Sequence, residues 1–214
     1  MKTELNKNHI GVKNLIKDVK HKCKVYGVDL ILSSGKSVNI TDTIKVGGYF
    51  SDESDGDKPI LACAMGQPNF EKAITLLLHE SSHLDQWQEK SDLWMKSSGI
   101  SIIDEWLDGK NVDSKKLELA FKTSIDIELD CEKRTIKKII KYKIPINVEE
   151  YKQRSNAYIL FYNYVKKHRK WSIPGNPPYG DKIFPHAPKR WLNNYYDYIP
   201  KKLERAYDLH LGLI

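Results

Sequence analysis

The chain has 214 residues, 40% hydrophobic and 29% charged, with a lysine-rich formal charge of +7. That length can bury a core without metal or disulfide staples, and no run approaches the roughly 18 apolar residues that a membrane span needs. Cys23, Cys63 and Cys131 are odd in number and widely spaced, which argues against a disulfide framework. The start, MKTELNKNHIGVKN, has no apolar h-region of a secretory signal, so a cytoplasmic location is expected. The basic charge is spread along the chain and could attract acidic partners or nucleic acid. No aromatic-basic RNA motif or zinc-finger spacing accompanies it, so it identifies neither.

Residues 10–25 place Ile10, Val12, Leu15, Ile16, Val19 and Cys23 at helical spacing and predict a first helix. VYGVDLILSS and SVNITDTIKVGGYFSDE follow, rich in Val, Ile, Tyr and Thr and punctuated by glycine, as strands are. After the acidic loop SDESDGDKP, ILACAM reads as a short buried strand. Asn69 can cap the next helix, predicted to reach Lys90 with Phe70, Ala73, Ile74, Leu77, Leu78 and Leu84 inward. Residues 91–112 read as irregular. A long helix is predicted from Asp113 to Tyr142, stopped by Pro145, and Asn147 with Glu150 forms a capping-box pattern for another reaching His168. WSIPGNPPYGDKIFPHAPKRW reads as a loop, and a last helix starts after Pro200.

Thr75 to Trp87 reads TLLLHESSHLDQW, an HExxH pattern in mid-helix. Residues four apart share a helix face, so the His79 and His83 imidazoles can reach one zinc ion. Glu80 stands beside them, placed to take a proton from water that the metal has made acidic and to pass it to a leaving amine. Chance would produce the pattern on the order of 0.01 times in a chain of this size.

A zinc site needs a third protein ligand. The long helix carries the apolar stripe Leu117, Ala120, Phe121, Ser124, Cys131, Thr135 and Ile139, and stepping at about 100° per residue puts Glu128 within it. An inward carboxylate is costly unless it meets a cation or several donors, so Glu128 is the preferred ligand. Glu132, at the edge of the stripe, is the alternative, and a buried salt bridge would explain Glu128 without any metal. Cys63 and Cys131 read as small core residues rather than ligands.

HExxH followed 45 residues later by Glu128-Leu-Asp-Cys-Glu132 resembles the gluzincin metallopeptidases, in which HExxH is paired with ExxxD on a later helix. Residues 25–140 also resemble small metallopeptidase-like proteins from phages and bacteria. The resemblance implies an α+β zincin-like fold: a small twisted sheet, an HExxH helix and a mostly helical C-terminal part. It implies one domain over 1–214, with its core at about 10–145 and a helical and loop extension at about 146–214. Glu128 then binds zinc, and Glu132 orients one histidine through its free ring nitrogen. Glu stands at 132 where the family has Asp.

Zincins also bind a peptide along an edge strand before the metal helix, which would assign ILACAM, and Ala62, Cys63 and Ala64 in it, to substrate. A plain buried strand explains the same residues. Oxyanion stabilisation needs a further donor; His186 between two prolines is the first candidate, with Tyr158, Tyr162 and Tyr179 behind it. The expected activity is zinc-dependent hydrolysis of a peptide or protein substrate, in a cytoplasm or, for a phage-encoded chain, in a virion. An inactive zincin-fold binding or structural protein, perhaps virion-associated, is the alternative, and a nucleic-acid-associated protease is a further one.

Overall fold

His9 begins the first helix, α1 (Ile10–Tyr26), by accepting the Gly11 amide on its ring nitrogen, and Gly27 ends it at φ +71°. The computed structural model describes residues 5–42, 44–52, 58–173 and 176–211; residues 53–57 of the acidic loop lie outside them. Among those residues the chain is α+β and mostly helical, with six α-helices and a small mixed sheet. No described helix is long and apolar enough to cross a membrane.

The chain divides into two compact units, 1–91 with 131–146, and 92–130 with 147–214. The segment 92–130 goes with the C-terminal part because Ile103, Ala120, Phe121 and Ile125 share an apolar cluster with residues beyond 156.

In the first unit, α1 buries Val12, Leu15, Val19 and Cys23, the positions given by its period. The strands β1 (Asp29–Ser33), β2 (Val38–Asn39), β3 (Lys45–Val46), β4 (Gly48–Ser51) and β5 (Ile60–Ala64) follow. β5 lies in the middle of a three-stranded sheet, parallel to β1 and antiparallel to β4, while β2 and β3 pair separately. Helix α2 (Phe70–Gln88) packs on β4 and β5. The Asn69 side chain accepts the Glu71 amide, as its cap position requires.

The unit is closed by the C-terminal part of α4 (Ser114–Lys141). Ser81 and Ser82 are small enough to admit it. Ser82 Oγ meets Thr135 Oγ1 at 3.1 Å, and Lys138 Nζ donates to Ser81 Oγ at 2.9 Å and pairs with Asp85 at 2.9 Å. Lys22 of α1 pairs with the same Asp85 at 2.8 Å, so one carboxylate ties three helices together.

The second unit is helical. Its first turns, a 3-10 helix at Trp94–Gly99 and α3 (Ile102–Leu107), replace the irregular stretch expected there. Helix α3 forms because Ile103 is buried in the cluster that Trp106 and Leu107 also pack against, and this tertiary burial fixes a turn that has no regular period. Helix α5 (Val148–His168) is capped by Asn147, which accepts from the Glu149 and Glu150 amides. It buries Tyr164, Phe161 and Leu160 against α6 (Lys201–His210), where Tyr207 and Leu203 are inward.

Gln153, Asn156 and Asn163 of α5 hold the long loop that follows. Each side-chain amide donates to two loop carbonyls: Pro185 and Ala187, Pro188 and Arg190, Tyr195 and Tyr198. Six carbonyls of a loop with little regular structure are thereby satisfied.

Candidate metal centre

His79 and His83 are one turn apart on α2, and their Nε2 atoms approach to 3.2 Å. Two zinc–nitrogen bonds of about 2.0–2.1 Å at a tetrahedral angle would set nitrogens about 3.3 Å apart. The pair therefore already has the bite of a chelate. His79 Nδ1 lies 3.2 Å from Glu132 Oε1. A carboxylate only accepts, so Nδ1 carries a proton and Nε2 is the nitrogen left to face His83. His83 Nδ1 lies 2.9 Å from Gln86 Oε1.

The electrostatics follow from burial and from this crowding. For His79, burial works downward, but the Cys131 sulfur and the Glu132 carboxylate outweigh it and raise its pKa well above the ordinary value. Burial and then His79 push His83 down to about 3. The two rings thus share room for one positive charge, not two. Burial raises the Glu80 carboxyl to about 7, with Glu132 adding to it and the nearby His79 and the Phe50 backbone amide opposing. A base with that value is matched to proton transfer near neutrality.

Among the described residues, His79, His83 and Cys131 form a group whose potential ligand atoms lie within 4.8 Å of one another. Cys131 Sγ is 3.6 Å from Nδ1 and bonds the His79 carbonyl at 3.4 Å. Cys131 Sγ and Glu132 Oε1 both face Nδ1 of His79.

Glu128 lies on α4 one turn before Glu132, half-buried, among the residues of the second unit. Its neighbour there is Tyr158. Burial, and then the Glu128 charge, raise the Tyr158 hydroxyl well above its ordinary value, so it stays protonated. Tyr158 meets the Tyr162 hydroxyl at 3.3 Å and the Tyr179 ring at 5.9 Å, an aromatic cluster within that unit. His186 is exposed in a single 3-10 turn, Phe184–His186, of the second unit.

The substrate strand requires a correction. Ala62, Cys63 and Ala64 are fully buried, and β5 has a backbone partner on each side. A peptide cannot add to it. The strand on that side with an outer edge is β4. Ala64 N donates to Gly47 O at 2.8 Å, and alternation from that pair turns the Gly48 and Phe50 backbone groups away from β5. The Phe50 amide donates to the Glu80 carboxylate, so Glu80 meets β4 at its outer side.

Gly48 permits this approach. A Cβ there would lie 2.9 Å from the Ala62 carbonyl oxygen, 3.0 Å from Leu76 Cγ and 3.2 Å from Glu80 Cγ. The glycines of KVGGYF and Gln86, three residues after His83, were the visible but unused signals in the sequence. Comparison of the chain with protein families, with curated proteins and with solved structures returned no match.

Proposed function

We propose that this chain is a zinc-dependent metallopeptidase of gluzincin type, built on a zincin-like arrangement of sheet, HExxH helix and glutamate helix. One observation carries the reading: two imidazole Nε2 atoms 3.2 Å apart, beside a buried carboxyl raised to about 7. His79 and His83 would hold the zinc through Nε2. Glu128 is the third ligand by its place in the ExxxE pattern, and Glu132 orients His79 from behind.

Zinc, when bound, would supply Lewis acidity, making water acidic and polarising the scissile carbonyl. Glu80 takes the proton of the attacking water on its carboxylate and returns it to the leaving amine nitrogen. Its burial keeps that carboxyl near the proton affinity the transfer needs. A peptide substrate pairs with the outer edge of β4, where the Gly48 backbone groups turn outward next to Glu80.

Metal analysis of the purified chain tests the reading, with peptide hydrolysis measured alongside. Wild type is expected to carry one zinc, Glu128→Ala to lose it, and Glu132→Ala to bind it more weakly. Glu80→Gln keeps the metal and loses hydrolysis. Equal zinc in wild type and Glu128→Ala would remove Glu128 as a ligand, and undiminished hydrolysis by Glu80→Gln would remove the base.

A further inference from the structure

The two Nε2 atoms face one another at 3.2 Å, so an ion shared there needs both as lone pairs, which an unconstrained neutral imidazole does not guarantee. Each ring carries its one proton on either nitrogen, and a ring protonated at Nε2 is a donor where a ligand is needed. For His79 the selection comes from another helix, through Glu132 on α4. His83 has a different arrangement. Its Nδ1 meets Gln86 Oε1 at 2.9 Å, and Gln86 is fully buried on the same helix.

An amide oxygen can only accept a hydrogen bond, so His83 Nδ1 must be the donor. Its Nε2 is then a lone pair, aimed at His79 Nε2 3.2 Å away. The spacing explains why a glutamine can do this. Residues three apart on a helix are neighbours, and the side chain of Gln86 needs only to reach back one turn. Its burial removes water as an alternative partner for either group.

The geometry points to Gln86 as a positioning residue: it fixes His83 in its Nδ1–H form and thereby aims the Nε2 lone pair at the ion. This rests on the metal reading above. It adds that the two histidines are oriented by unlike partners, an anionic carboxylate and a neutral amide. The amide orients its ring without adding a negative charge to a pocket that already holds Glu80 and Glu132.

The test compares wild type, Gln86→Met and Gln86→Glu. Methionine keeps the volume and removes the acceptor; glutamate restores an acceptor in the same place. Zinc affinity is measured by chelator competition. Gln86→Met is expected to bind zinc about 10–100-fold more weakly, and Gln86→Glu to recover most of that loss. Imidazole nitrogen NMR of the metal-free chain should show His83 protonated at Nδ1 in wild type and in Gln86→Glu.

Zinc bound equally well by wild type and Gln86→Met would overturn the role of Gln86 and leave the metal centre standing. So would an Nε2–H tautomer of His83 in wild type. A wild-type chain that binds no zinc would overturn the metal reading itself, and this one with it. Should Gln86→Met fail to fold, the wild-type tautomer decides the role of Gln86.

Discussion

In the second unit, the buried side chains Gln153, Asn156 and Asn163 are neutral amides, and each donates to two backbone carbonyls of the adjoining loop. In the first unit, buried Glu80, His83 and Glu132 are ionisable and crowd one another around His79. Among the described residues, every buried Asp, Glu or His belongs to the first unit. Polar burial alone therefore does not mark a functional site. The amides satisfy the backbone and leave nothing over. The ionisable cluster brings two ring nitrogens to 3.2 Å of one another, close enough to share a proton or a metal ion.

The largest effect that separates the two kinds of burial is expected at Asn156. Its amide donates to the Pro188 carbonyl at 2.7 Å and the Arg190 carbonyl at 3.0 Å, and accepts from the Tyr195 hydroxyl at 2.6 Å. Asn156→Ala leaves these partners unsatisfied and should cost about 3–4 kcal/mol in urea denaturation, with zinc content unchanged. A loss below about 1 kcal/mol would mean that the loop is held by its apolar contacts instead.

Glu80 gives the opposite sign. Its carboxyl binds a proton more tightly folded, at about 7, than at its ordinary 4.5. The folded metal-free chain then holds more protons than the unfolded one between those values, so its stability falls as pH rises through that window. Glu80→Gln removes the penalty. It should stabilise the metal-free chain by on the order of 3 kcal/mol above pH 7 and by nothing below pH 4.5. Thermal melts of the chelator-treated proteins on either side of the window check this. A variant less stable than wild type at alkaline pH would show that the carboxylate is held by donors rather than strained by burial.

The smallest effect tests the strand that meets the base. Gly48→Ala puts a methyl group 2.9 Å from the Ala62 carbonyl oxygen and 3.2 Å from Glu80 Cγ, and should cost about 1–2 kcal/mol. Full wild-type stability in this variant would mean that β4 can move away from α2 without loss.

Much of this was legible because it is local. The stripe Val12, Leu15, Val19 and Cys23, the caps at Asn69 and Asn147 and the start of α6 after Pro200 all depend on residues within a few positions of one another. Helix α3 was not legible, since burial of Ile103 against distant side chains stabilises it and no period announces it.

The sequence by itself determined that His79, Glu80 and His83 lie on one helix, since an i, i+4 spacing is converted into a shared face by backbone hydrogen bonds alone. Gln86 was within the same reach and needed only the chemistry of its oxygen. Tertiary structure alone decided that β5 is central and β4 forms the edge, and that Glu132 and Cys131 both meet Nδ1 of His79. Strand order and the meeting of α2 with α4 are contacts between residues far apart in the chain, and a local pattern carries no information about which distant surface will cover it.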